Sequence, residues 1–107
     1  MKIYLKYHFD AAHKLNLPYE SKCTNLHGHR WIVELWLSNG LDQDGMIMDF
    51  TKLKSIIDEL DHKDITSLIS QPTAENIAIW IRERIAEETP ADITVRVWET
   101  PESYAEI

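Results

Sequence analysis

The chain has 107 residues, 44% of them hydrophobic, with a formal charge of -7 and a single cysteine, which suits one domain spanning residues 1–107. The acidic balance argues against a nucleic-acid partner, because phosphate neutralisation needs a basic face and the lysines and arginines here are scattered among carboxylates. No run of about 18 apolar residues exists, lysines interrupt the opening Met-Lys-Ile-Tyr-Leu-Lys, and one thiol cannot close an internal disulfide; no membrane span or signal peptide is expected, and the setting reads as cytoplasmic.

In chain order, Ile3, Leu5, Tyr7 and Phe9 alternate with Lys2, Tyr4, Lys6 and His8, the period of a half-buried strand over residues 2–9. Residues 10–22 read as a loop. A second strand is expected over residues 29–37, with Trp31, Val33, Leu35 and Leu37 on one face, ended by the turn Ser38-Asn39-Gly40. Met46-Ile47-Met48 reads as a short third strand. Asp49 then caps a helix whose Phe50, Leu53, Ile57 and Leu60 recur at helical spacing, ending near Asp61-His62. Thr73 caps a second helix with Glu75 in its first turn, a stripe of Ile77, Trp80, Ile81 and Ile85, and Pro90 as its close. The last strand sets Ile93, Val95 and Val97 on one face, and Glu99 continues that parity. This order predicts an α+β fold, an antiparallel sheet with two helices on one face. Tyr4, Ile32, Trp36 and Trp98 then fall on the other face, an apolar set that a small monomer rarely exposes, and self-association is expected.

The chemistry concentrates in Cys23-Thr24-Asn25-Leu26-His27-Gly28-His29. Alternate residues of an extended chain share a side, so His27 and His29 can offer both imidazoles to one ion while Gly28 lets the backbone come close. Catalytic zinc usually takes three protein ligands; His13 is better placed for the third than His8, mid-strand, or His62, after a helix. Cys23 reads as a fourth ligand, as a nucleophile or base beside the metal, or as a buried small hydrophobe. A closed shell of Cys23, His13, His27 and His29 would make the metal structural rather than catalytic. Asp61-His62 follows a helix end, whose dipole favours the protonated imidazole. Glu99, ending an apolar strand face, has the position of a site-facing carboxylate. Capping and dipole roles are sufficient for Thr73 and Glu75.

Together, Phe9-Asp10-Ala11-Ala12-His13, Cys23 with His27-Gly28-His29, Leu60-Asp61-His62-Lys63, Pro72-Thr73-Ala74-Glu75-Asn76 and Trp98-Glu99-Thr100 resemble the 6-pyruvoyl-tetrahydropterin synthase family over nearly the whole chain. The three residues between Cys23 and His27 match the 6-carboxy-tetrahydropterin synthase branch of queuosine biosynthesis; the pyruvoyl-forming branch has a longer interval. A third variant carries a glutamate in the interval and performs aldolase chemistry, and Thr24, Asn25 and Leu26 include none.

The resemblance implies the tunnelling fold, in which protomers join edge to edge into a barrel as a homohexamer, a dimer of trimers. It implies Zn2+ held by His13, His27 and His29, with Cys23 abstracting a proton and Asp61 with His62 as the partner dyad. Glu99 would anchor the pterin ring and take part in catalysis, and Thr73 joins it in binding substrate. The implied substrate is 7,8-dihydroneopterin triphosphate, converted to 6-carboxy-5,6,7,8-tetrahydropterin with loss of acetaldehyde and triphosphate. Lys14, Lys22, Arg30 and Lys63 are the candidate partners for phosphate. The alternatives are 6-pyruvoyl-tetrahydropterin formation and a non-catalytic structural zinc domain.

Overall fold

The alternation that begins at Ile3 runs past residue 9. In the computed structural model, which describes all 107 residues, β1 spans Lys2–His13 and β2 spans His27–Ser38. The loop expected from residue 10 therefore starts four residues later. Its first part is strand because Ala11 and His13 keep the inward parity of Phe9, and each residue has a partner across the hairpin: Asp10 with Arg30, Ala11 with His29, Ala12 with Gly28, His13 with His27. Alanine's weak strand propensity hides this continuation from periodicity. The same register sets two imidazole-bearing residues, His13 and His27, directly opposite each other at the end of the hairpin where the connecting loop joins its strands.

Two helices cover one face of the sheet. α1, Phe50–Asp58, starts at Asp49, whose side chain accepts the Thr51 N–H. It stops short of the expected end at residues 61–62: the chain tightens after Asp58, and His62 takes a left-handed φ of 57° as its N–H reaches the Asp10 carbonyl at 2.7 Å. Leu53, Ile57 and Leu60 are buried as expected, whereas Phe50 is exposed. Met46-Ile47-Met48 is not a strand. Asp42 N–H bonds the Met46 carbonyl in a turn, and Ile47 and Met48 enter the core individually without a ladder partner. α2, Ala74–Ala86, starts at Thr73, whose hydroxyl accepts the Asn76 N–H at 3.1 Å, and buries Ile77, Ile81 and Ile85 with Trp80 at the margin. Thr73→Ala should lower unfolding free energy by about 1 kcal/mol through the lost cap, read as a shift of the urea midpoint at unchanged slope.

β3, Asp92–Thr100, is followed by β4, Ser103–Glu106, which periodicity does not reveal because of its residues only Ala105 is even half-buried. The turn between them is held by Thr100 Oγ1, which accepts the Glu102 N–H at 3.2 Å. The sheet runs β1-β2-β3-β4, antiparallel throughout. Phe9, Trp31, Val33, Leu35, Leu37, Val95 and Val97 form its helix-covered side, all at 0% exposure, so the expected facing of each strand holds. No helix is long and apolar enough to cross a membrane.

The uncovered face is organised around Glu34. Its carboxylate accepts the Tyr4 hydroxyl at 2.6 Å and the Trp98 indole N–H at 2.7 Å, and Arg96 stacks over Trp36 and Tyr104 beside it. Burial pushes Glu34 up, but the two hydrogen bonds and the Arg96 charge outweigh it and hold the carboxyl below its ordinary value. The aromatic set on this face thus forms a pinned surface with no covering element in the protomer.

Candidate metal centre

At the far end of the β1–β2 hairpin the register brings histidines into one group. His13, His27 and His29 with Glu99 each offer a ligand atom, and these atoms all lie within 4.8 Å of one another. His13 is fully buried; His27, His29 and Glu99 are half-buried. Nε2 of His13 stands 3.0 Å from Nε2 of His27, and Glu99 Oε1 stands 3.4 Å from His13 Nε2 and 3.5 Å from His29 Nε2. Four ligands in a tetrahedron with bonds near 2.0–2.1 Å stand about 3.3 Å apart, so the spacing fits one small cation.

The tautomers lead to the same conclusion. His13 Nδ1–H donates to the Pro72 carbonyl at 2.7 Å, and His27 Nδ1–H donates to the Asn25 carbonyl at 2.6 Å. A carbonyl can only accept, so each neutral ring must carry its proton on Nδ1 and aim an Nε2 lone pair at the other. Two lone pairs at 3.0 Å repel unless a proton or a cation sits between them. The two carbonyls are the outer-shell acceptors that metal-bound imidazoles ordinarily have. His29 Nε2 is buried with no hydrogen-bond partner, and burial holds its pKa below the ordinary imidazole value against the pull of Glu99, which favours the neutral, ligating form. The residues therefore fit a divalent metal.

The remaining sequence-derived residues stand outside this group. Cys23 is half-buried on a single 3-10 turn, Lys22–Thr24, where Ser21 Oγ accepts its N–H. Asp61 and His62 flank β1: Asp61 Oδ1 accepts the Asp10 N–H at 2.9 Å, and Oδ2 accepts His62 Nδ1–H at 2.7 Å. The Asp10 N–H, then His62, keep the Asp61 carboxyl below its ordinary value. The His62 imidazole is exposed, with Nε2 unprotonated in this tautomer. Thr73 serves α2 as its cap. Gly28 is not required by close approach, since an added Cβ would meet only the Ala11 carbonyl at 3.9 Å; that expectation is corrected.

A cavity of about 660 Å³ runs from Gly28, His29 and Glu99 onto the uncovered face, where Ile32 and Trp98 give apolar walls and Lys6 and Arg30 supply cations. Arg30 is already paired with Asp10 at 2.9 Å. A second, of about 420 Å³, lies beside Glu75 and Tyr104, and Glu99 borders both. The Asn25 and Pro72 acceptors were missed by sequence reasoning, because backbone carbonyls leave no side-chain signal. Glu99, expected from its parity on β3 to face the site, does so, with its carboxylate beside the imidazoles.

A four-stranded antiparallel sheet under two helices, with three imidazoles and a carboxylate gathered at one end, defines an α+β protein with a candidate metal site. The chain belongs to the 6-pyruvoyl tetrahydropterin synthase family, whose model matches residues 2–107. A Pyrococcus horikoshii relative, provisionally named a 6-carboxy-5,6,7,8-tetrahydropterin synthase, is 40% identical over 139 residues, covering 99% of this chain and 88% of its own. A Pyrococcus furiosus relative named dihydroneopterin monophosphate aldolase is 38% identical over 106 residues, covering 92% and 90%. The Caenorhabditis elegans 6-pyruvoyl tetrahydropterin synthase structure superposes with a TM-score of 0.78 at 25% identity over 100% of this chain and 94% of that one.

Proposed function

We propose that this protein is a zinc-dependent 6-carboxy-5,6,7,8-tetrahydropterin synthase, a carbon-carbon lyase acting on 7,8-dihydroneopterin triphosphate and water. It releases acetaldehyde and triphosphate and serves the queuosine precursor pathway in the cytoplasm. The observation that carries this reading is the convergence of His13, His27 and His29 in a chain 40% identical to a relative bearing that name.

His13, His27 and His29 would hold the metal, and Zn2+ bound there would supply Lewis acidity to the oxygens of the substrate side chain. Cys23, on the turn before β2, takes a proton at Sγ. His62 exchanges a proton at Nε2, with Asp61 fixing the ring through Nδ1. Glu99 turns from the imidazoles towards either bordering cavity and accepts paired N–H bonds from the aminopyrimidine edge, and Thr73 is the second substrate-binding residue. That contact orients the side chain where a small misplacement is costly. The uncovered sheet face and the outer edges of β1 and β4 support assembly into a homohexamer, a dimer of trimers; a monomeric mass by light scattering at micromolar concentration is the contrary result.

Aldolase chemistry is the second reading to test, because a relative 38% identical to this chain carries that name. Both reactions break the bond between the first two side-chain carbons, so the leaving fragment separates them. Incubating zinc-loaded protein with dihydroneopterin triphosphate should yield acetaldehyde and a 6-carboxypterin. Glycolaldehyde phosphate and a 6-hydroxymethylpterin from the monophosphate would establish the aldolase instead, and a product retaining all three side-chain carbons would establish the pyruvoyl route.

A further inference from the structure

The loop between β1 and β2 carries Cys23, yet little of it is tied down. Residues 17–20 make no backbone hydrogen bonds, and the stretch is anchored by Lys14 N–H to Thr66 Oγ1 at 3.2 Å, Leu15 N–H to the Cys23 carbonyl at 2.7 Å, and one further pair. That pair is made by Gln71. Its side-chain Oε1 accepts the Asn16 N–H at 3.0 Å while its Nε2 donates to the Asn16 carbonyl at 3.0 Å. A primary amide offers a donor and an acceptor side by side, so it imitates a neighbouring strand for a single peptide; no other side-chain type does this.

Gln71 is itself held firmly. Its carbonyl accepts Asn76 Nδ2–H at 2.8 Å and the Thr73 N–H at 2.9 Å, fixing it to the first turn of α2. The next residue, Pro72, is buried and gives its carbonyl to His13 Nδ1–H. Adjacent residues of one rigid segment thus grip a proposed metal ligand and, through Asn16 and Leu15, the backbone of Cys23.

We infer that Gln71 is a positioning residue that sets Cys23 relative to the imidazole group by clamping Asn16. This rests on the reading of Cys23 as the proton-transfer residue. Gln71 touches no reacting atom; it fixes the loop so that the thiol and the metal ligands share one frame of reference.

The test uses the full-length protein with Gln71→Met, which removes both bonds at similar volume, and Gln71→Glu, which keeps the acceptor for the Asn16 N–H and loses the donor. Alkylation of Cys23 by iodoacetamide should speed up by about 5- to 30-fold in Gln71→Met as the loop opens, with Gln71→Glu between it and wild type. The kcat should fall by as much as about 100-fold in the same order, with KM and bound metal unchanged. Unchanged alkylation in both variants overturns the inference. So does a loss of kcat that tracks loss of metal, because Gln71 would then support only His13. A wild-type protein without turnover defeats the proposed function, and the alkylation rates then decide the question of Gln71 alone.

Discussion

Replacing His27 with alanine is expected to strip the protein of its metal, and turnover with it, while the fold persists. His27 is the informative ligand to remove. His13 is fully buried, so truncating it would add a cavity and orphan the Pro72 carbonyl, and any loss of function would be confounded with lost stability. His27 is half-buried at the loop end of the hairpin, and its one bond outside the histidine group goes to the Asn25 carbonyl, which is exposed and can turn to water. Removing an outer-shell partner of a metal site already costs roughly 10- to 100-fold in affinity; removing a ligand should cost more than that. The check is metal content after dialysis together with thermal unfolding. Wild type should gain about 4 kcal/mol of apparent stability at a zinc concentration a thousandfold above Kd, and His27→Ala should gain almost none at the same concentration. A variant that keeps stoichiometric zinc through dialysis would show that His27 is not a ligand.

The strand faces and helix stripes were legible in the sequence because burial imposes a period, and Trp31, Val33, Leu35, Leu37, Ile77, Ile81 and Ile85 lie where their spacing put them. What failed had no period to read. Ala11 and Ala12 are poor strand formers, and they are extended because β2 pairs with them residue by residue. β4 has one half-buried residue and exists because the Thr100 turn folds it back onto β3. α1 ends early because His62 bonds the edge of β1, a tertiary contact that overrides helical spacing. Met46-Ile47-Met48 has the composition of a strand without an edge to join.

The candidate site shows the same division. Imidazole spacing singled out His27 and His29, and position singled out His13, because ligation demands side-chain types that sequence displays openly. The features that tune them are backbone atoms: the Pro72 and Asn25 carbonyls, which fix the tautomers, and the Asp10 peptide, which seats Asp61 and His62. Only the folded register reveals these. Gln71 falls between the two cases: the sequence displays its side-chain amide, but the role is understood only once that amide is seen against Asn16.

Cys23→Ala is expected to keep metal, fold and assembly and to lose about 10²- to 10⁴-fold in kcat, the range for removing a general acid or base. The geometry makes the variant unusually clean. The bonds that shape the turn come from other groups: Ser21 Oγ accepts the Cys23 N–H, Thr24 Oγ1 donates to the Ser21 carbonyl, and the Cys23 carbonyl receives the Leu15 N–H. Alanine preserves all three. Because Sγ is not among the clustered ligand atoms, deleting it should leave the affinity of His13, His27 and His29 for zinc unaltered. The structural-domain reading requires the opposite, since a closed shell of Cys23 with three imidazoles would lose a thiolate ligand and with it both metal and stability. Metal content, unfolding midpoint and product formation measured on one preparation of Cys23→Ala therefore separate the readings. Activity lost at constant metal and midpoint supports proton transfer at Cys23; zinc and stability lost together would make the thiol a ligand; full activity would leave the proton to another group, with His62 the first to test.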